Sequence, residues 1–298
     1  MSAPATAAPI AAAQRRTRPN VGHLVAHAAL ALISAVALVP IAWMTSTALK
    51  AKGTELEWPI QWIPNPIVWD NFVRAHTILP FATYYKNTLT IAVLATVGAV
   101  LTSSMAGFAF ARLRFVGRGP LFMLVLATMM LPSIVTLIPT YIIWRNLGAI
   151  DTFAPLIVPS WLASSSGGFS SAFAIFLMRQ FFMTLPHDLD DAARVDGASS
   201  YRIYWQILLP LCVPALAIVG IFSFVEHWNE FLGPLIYLNS DSMRTAAIGL
   251  ALGSGTFRNT YNYIMAVAFT MTMPIVLIFF SAQRYFMKGI VMTGMAGR

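Results

Sequence analysis

Four aspartates lie within one short polar stretch of the sequence, and carboxylates grouped in this way are suited to metal chemistry. They are Asp188, Asp190, Asp191 and Asp196. Carboxylate oxygens are the ligands that Mg²⁺ takes together with a diphosphate, as in membrane prenyltransferases. Such enzymes generally need a second acidic cluster, which the sequence lacks, and on a helix Asp191 and Asp196 would point about 140° apart. The histidines have no ligand spacing either, so the sequence predicts no metal site.

A second polar group lies inside an apolar segment. Glu226, Asn229 and Glu230, with His227 among them, are surrounded by residues typical of a membrane helix. Ionisable groups in a membrane are costly and by default indicate function. Glu226 and Glu230 are four positions apart, so they share one face of a helix. This face is predicted either to line the path of a polar substrate or to bond a neighbouring helix or subunit, and the sequence leaves both interpretations open.

The elements that carry these groups must be membrane helices. Of 298 residues, 58% are hydrophobic and only 10% are charged, whereas a soluble domain has about 25% charged residues. The net charge of +8 reflects 11 acids against 19 Lys and Arg rather than a basic stripe, so nucleic-acid binding is not predicted. Six segments are long enough to span a membrane, and the predicted fold is an all-α polytopic membrane protein. These segments cover residues 23–49, 88–111, 121–144, 153–182, 211–238 and 263–286.

The basic residues predict the orientation of these helices. Arg15, Arg16 and Arg18 precede an apolar run longer than the core of a signal peptide, which favours a retained anchor over a cleaved one. Alternate loops divide the 19 Lys and Arg into twelve on one side and seven on the other, and the more basic side is predicted to be cytoplasmic. Both termini therefore face the cytoplasm.

The chain divides into four regions under this prediction. Residues 1–20 form a disordered cytoplasmic tail, and residues 21–82 form the first helix and an extracytoplasmic segment. Residues 83–287 form a core of five helices, and residues 288–298 a second cytoplasmic tail. Ser164 to Gly168 interrupt the fourth segment, where small residues favour either close helix packing or a hinge.

The aspartate-rich stretch, at residues 186–210, is predicted to form a helix–turn–helix between the fourth and fifth segments. Pro186 ends the preceding helix, and the aspartates that follow suit the positive end of a new helix dipole. Gly197 falls where that helix would end in a left-handed turn. A second helix begins near Ser199 and is predicted to end at Pro210. Alanines on the first helix would let another protein approach closely.

This stretch resembles the EAA loop of ABC importer permeases. Asp191-Ala192-Ala193, then Gly197 four positions after Ala193, then Ile207 and Pro210 follow the family's order and spacing. The departure is Asp191, where the family usually has Glu. Further segments resemble the carbohydrate subgroup, in particular the second, six-span permease of maltose-type importers. They are Ala109 to Phe115, Leu131-Pro132, Ile138-Pro139, Arg179 to Phe182, Trp228 to Phe231 and Gln283 to Phe286.

The resemblance implies a type I transmembrane domain in the cell membrane that imports sugar by alternating access and is not itself an enzyme. It implies a second permease subunit, two ATP-binding subunits that hold ATP and Mg²⁺, and an extracytoplasmic sugar-binding protein. The sequence has no phosphate-binding loop of the Gly-x-x-x-x-Gly-Lys-Ser/Thr type, in agreement with a partner ATPase. A proton-coupled carrier and, less favoured, a Mg²⁺-dependent prenyltransferase are the alternatives. The residues implied for ATPase docking are Asp191, Ala192, Ala193, Asp196, Gly197, Ala198, Ile207 and Pro210, and Glu226, Asn229 and Glu230 are candidates for the sugar path.

Overall fold

The computed structural model describes residues 21–162, 171–256 and 260–295. The predicted disordered tail and the break at Ser164 to Gly168 therefore lie outside the described residues. All regular structure in the described residues is helical, which agrees with the predicted class. The helices are α1 (Val21–Ala48), α2 (Asp70–Ile78), α3 (Phe81–Arg112), α4 (Arg118–Thr128), α5 (Ser133–Asn146), α6 (Ala154–Trp161), α7 (Ser171–Thr184), α8 (Asp188–Val195), α9 (Ser200–Leu211), α10 (Val213–Asn229), α11 (Leu232–Tyr237), α12 (Ala246–Thr256) and α13 (Tyr261–Met295).

The membrane spans are less regular than the hydropathy of the sequence suggests. Three helices are long and apolar enough to cross a membrane, namely α1, α3 and the Tyr261–Gln283 part of α13. Two further spans are helix pairs bent at a break, by 99° between α4 and α5 and by 79° between α9 and α10. The described residues thus contain three to five candidate spans. The remaining predicted span, 153–182, includes residues outside the description.

Helix α3 is the centre of the bundle, and small residues let its neighbours approach it closely. It packs against α6, α7 and α10. A Cβ atom added at Gly98 would lie 2.4 Å from the Trp161 ring, and one added at Gly107 would lie 2.6 Å from Cβ of Met178. These two glycines therefore set the distance of α3 from α6 and α7.

Buried polar bonds hold the N-terminal end of α3. The Asn87 amide donates to the carbonyls of Ser242 (2.8 Å) and Arg244 (2.9 Å). The Thr88 hydroxyl accepts the Ala246 N–H at 2.9 Å. Since buried amides and hydroxyls are costly unless bonded, these contacts fix α3 to the turn that precedes α12.

The segment after α1 is tied down by a buried lysine. The Lys50 amine lies 4.4 Å from the centre of the Trp43 ring and donates to the Glu55 carbonyl at 3.2 Å. The Asn71 amide donates to the carbonyls of Ala48 and Lys50 at 2.9 and 2.8 Å. The last turn of α1 is thereby joined to α2, whereas the apolar window of α1 is exposed within this chain.

Candidate functional site: the coupling loop and the polar break

Residues 186–210 form the loop that we call the coupling loop. Its first helix has the local structure that its sequence predicts. Helix α8 begins at Asp188, with three aspartates in its first turn, where negative charge is stabilised by the helix dipole. Gly197 follows the helix with φ +77°. Its N–H donates to the Arg194 carbonyl at 3.0 Å, and the Ala198 N–H donates to the Ala193 carbonyl at 2.9 Å. These two bonds form a Schellman motif, and the predicted left-handed turn is confirmed.

The second helix of the loop begins near Ser199 and ends next to Pro210, as the sequence predicts. The Ser199 hydroxyl accepts the Arg202 N–H at 3.3 Å and caps α9. Pro210 lies inside the last turn, and the helix continues to Leu211 before it bends into α10. Residues Ile203–Leu208 form a π turn. Pro210 has no N–H with which to continue the helical ladder, and the helix ends one residue after it, in agreement with the predicted end.

The loop presents two faces, which divide the predicted docking residues. Asp191, Ala192, Asp196, Gly197 and Pro210 are exposed. Ala193 is only 6% exposed and belongs to the same apolar core as α3 and α7, which corrects its predicted place on the docking face. Ala198 and Ile207 also pack against this core. Ala193 is on the inner face because Leu189 and Asp190, four and three positions before it, face the bundle too.

A residue to which sequence reasoning assigned no role is Arg112, the last residue of α3. Its guanidinium side chain is 1% exposed and donates to Oδ2 of Asp190, itself 4% exposed, at 2.7 Å. The other terminal nitrogen donates to the carbonyls of Phe182 and Leu185, both at 2.7 Å. Arg112 thus joins the ends of three helices, α3, α7 and α8. It was noted in the sequence only as part of a family segment.

One face of α3 holds the whole loop over three successive turns. Ser104 and Tyr204 share a hydrogen bond of 2.7 Å between their hydroxyls. One turn further, the Phe108 ring lies 5.8 Å from that of Phe182 and 5.1 Å from that of Tyr204. Arg112 follows after one more turn. Both helices of the loop are therefore fixed to α3 by polar and aromatic contacts, and the loop is part of the helical bundle.

The polar residues of the fifth predicted segment lie at a break in that segment. Helix α10 ends at Asn229, and Glu230 has ψ 124°. Oε1 of Glu230 accepts the Gly233 N–H at 2.9 Å, so this carboxylate caps the start of α11. The exposed Asn229 side chain bonds the Val225 carbonyl at 2.8 Å, and Glu226 is half-buried. The helix that was predicted to continue through Glu230 ends one residue earlier.

Next to this break, a polar contact joins α10 to α6. Nε2 of His227 lies 3.1 Å from the Ser160 hydroxyl, and Nδ1 lies 2.7 Å from the Ser223 carbonyl. A hollow of about 360 Å³ opens on another side of α10 next to Trp228, and its lining does not include the three path candidates. Among the described residues, no group of three or more His, Cys, Asp or Glu is arranged to hold a metal ion.

Comparison with known proteins decides the family. Residues 98–291 match the family described as the binding-protein-dependent transport system inner membrane component. The chain belongs to this family. The match contains the coupling loop, the Arg112 contacts and the broken fifth segment, and it begins inside α3. This inner membrane component is thus a transport subunit by family.

Individual relatives match over most of their length. The chain is 33% identical to an arabinooligosaccharides transport system permease protein of Halalkalibacterium halodurans, over 95% of this chain and 100% of that one. It is 34% identical to an sn-glycerol-3-phosphate transport system permease protein of Yersinia enterocolitica, over 78% and 83% of the two chains. The fold resembles a chain in the crystal structure of a bacterial ABC transporter involved in the import of the acidic polysaccharide alginate. That likeness has a TM-score of 0.77 at 22% identity and covers 94% and 100% of the chains.

Proposed function

We propose that this chain is the transmembrane permease subunit of an ATP-driven, binding-protein-dependent importer of carbohydrate. The observation that carries the proposal is α8, a short helix with one face buried in the bundle and the other exposed. An exposed aspartate and alanine suit contact with a second protein, and the Schellman turn at Gly197 fixes their direction. The carbohydrate class rests on the relative named for arabinooligosaccharides, while the other relative is named for sn-glycerol-3-phosphate, a phosphorylated polyol.

The proposed complex has four kinds of contact. Two ATP-binding subunits dock from the cytoplasm, one of them on Asp191, Ala192, Asp196 and Gly197, and they hold the ATP and Mg²⁺. A second, different permease completes the pore, an extracytoplasmic binding protein delivers the sugar, and lipid surrounds the helices. Both termini then face the cytoplasm. When ATP closes the ATPases, the loop moves with them and the bundle changes from inward-open to outward-open.

The sugar path in this proposal passes the break between α10 and α11. A break leaves backbone groups and polar side chains at membrane depth, which is tolerated where they are buried in protein or line a water-filled cavity. Glu226 and Asn229 are the candidates for hydrogen bonds to sugar hydroxyls. Glu230 contributes through its second carboxylate oxygen, because Oε1 is held by Gly233.

Crosslinking tests the docking face with a matched control next to it. Ala192→Cys is exposed and Ala193→Cys is buried, and the native Cys212 is buried as well. In native membranes, a short thiol-to-amine crosslinker is expected to join position 192, but not position 193, to an ATP-binding subunit. Equal products from both positions, or none from position 192, would contradict the proposal.

Transport assays separate the proposed function from its alternatives. The complex purified through a tag on this chain is expected to take up sugar in proteoliposomes only with ATP and binding protein. Uptake by this chain alone, driven by a pH gradient, would favour a proton-coupled carrier. Transfer of a prenyl group that is lost on removal of Mg²⁺ would favour the enzyme.

A further inference from the structure

We propose that Arg112 is a positioning residue that makes the coupling loop and the end of α3 move as one body. The proposal rests on the proposed function, since it states how a displacement of the docked loop enters the bundle. It concerns the side of α8 opposite to the exposed docking residues.

The arginine makes contacts that no single helix could supply. Nη1 donates to Asp190 and lies 2.7 Å from Nδ1 of His187, and Nη2 donates to the carbonyls of Phe182 and Leu185. The Phe182 carbonyl is among the last of α7, where helix carbonyls lack partners within the helix. A cation at this end of a helix is also favoured by the dipole. One planar group therefore meets the end of α7 and the first turn of α8 together.

Burial makes these contacts specific in geometry. Both charged side chains of the pair are almost fully buried, and a buried ion pair gains little net stability because both charges lose water. A poorly aligned pair under such burial would be strongly unfavourable, so the arrangement tolerates little displacement of α8 relative to α3. Two further titratable groups face Arg112: His187, whose side chain is 72% exposed, and the buried thiol of Cys212.

The position of the pair connects it to docking. Asp190 faces inward to Arg112, and the next residue, Asp191, faces outward with a side chain that is 72% exposed. A partner that pulls on Asp191 therefore acts one residue away from the contact with α3. Ala193, three residues after Asp190, packs in the same core as Phe108 and Phe182. Force on α8 is transmitted to α3 through this polar contact and the apolar layer behind it.

Only an arginine has enough donors in the right plane. Lysine keeps the charge but is a point donor without the planar fork, so it cannot reach Asp190 and both carbonyls in the same geometry. An exchange of the two residues would place a carboxylate against two carbonyl oxygens. We therefore expect Arg112→Lys to be partly active and the exchanged pair, Arg112→Asp with Asp190→Arg, to be inactive.

The test compares uptake with ATP hydrolysis in the reconstituted complex. Arg112→Gln and Asp190→Asn leave the exposed docking residues unchanged, so both variants are expected to keep ATPase activity within about twofold and to lose at least tenfold in sugar taken up per ATP. Arg114→Gln, an exposed arginine two residues further on, removes the same charge and is expected to keep that ratio. Equal losses of uptake and ATPase activity in Arg112→Gln would overturn the proposal, because they indicate a general structural role.

A second readout does not need transport. Spin labels at Met105→Cys, an exposed position on α3, and at Ala192→Cys report the distance between α3 and α8. The distance distribution is expected to be narrow in the parent chain and at least twice as wide in Arg112→Gln. An unchanged width would overturn the proposal. If the parent complex transports nothing but the width still increases, the proposed function fails while the positioning role stands.

Discussion

Replacement of Gly197 by alanine tests the link between backbone geometry and coupling. Gly197 has φ +77°, and an added Cβ would meet no atom within 4 Å. The cost of Gly197→Ala is therefore conformational rather than steric, about 1–2 kcal/mol for an L-residue in the left-handed region. That cost lowers the equilibrium constant for the native turn by a factor of roughly 5–30. The protein is expected to insert normally, because the turn lies outside the apolar segments.

Hydrogen exchange and coupled transport measure this effect. In Gly197→Ala, the Ala198 N–H, which donates to the Ala193 carbonyl, is expected to exchange roughly 5–30 times faster. The amount of sugar taken up per ATP is expected to fall. Gly197→Asn is the matched control, since asparagine tolerates the left-handed region better than alanine. Gly255→Ala, at a helical glycine with equal free space, is expected to be neutral or stabilising. Faster exchange in Gly197→Asn than in Gly197→Ala would refute the reasoning.

Three further changes probe other parts of the structure. Gly107→Ala places a Cβ 2.6 Å from Cβ of Met178, so overpacking is expected to lower the free energy of unfolding by about 1–3 kcal/mol. A thermal unfolding assay in detergent would measure this loss as a lower Tm than in the parent. Ser199→Ala removes the cap of α9 and is expected to destabilise this helix by about 0.5–2 kcal/mol. Faster protease cleavage at Arg202 would report the loss of helix stability. Unchanged cleavage would contradict the role of the cap. The pKa of Asp151 is lowered from about 3.8 because its carboxylate accepts hydrogen bonds, chiefly from Ser240. The bonds therefore stabilise the loop above pH 3.8 and are lost as the pH falls through the lowered pKa. Hydrogen exchange of the Ser240 N–H, corrected for its intrinsic rate, is expected to become faster in acid in the parent chain. In Asp151→Asn, this rise is expected to be absent.

Features set by local chemistry could be predicted from the sequence. The start of α8 and the left-handed turn at Gly197 follow from residues within one helix of each other. The start of α9 near Ser199 was predicted as well, and the hydroxyl there caps an N–H only three residues away. Such features need no knowledge of the rest of the fold, and the structure agrees with them.

Features set by distant contacts could not be predicted. Asp190 and Arg112 are 78 positions apart, and nothing in the spacing of either indicates the other. Ala193 was assigned to the docking face because its motif says nothing about which side of α8 is buried. The break at Glu230 was missed because hydropathy reports the apolarity of a segment but not its straightness. The carboxylate that caps α11 is visible only once the end of α10 is known.

The bonds at both ends of α3 have a mechanical consequence. The helix has 32 residues and is about 48 Å long at 1.5 Å per residue, well beyond the roughly 30 Å of a hydrocarbon layer. Asn87 and Thr88 attach one end to the turn before α12, and Arg112 attaches the other to α8. Because the helix is stiff and is attached near both ends, it cannot tilt at one end without tilting at the other. Under the proposed function, a movement of α8 at one surface is therefore expected to shift the turn before α12 at the other, although the two attachment points never touch.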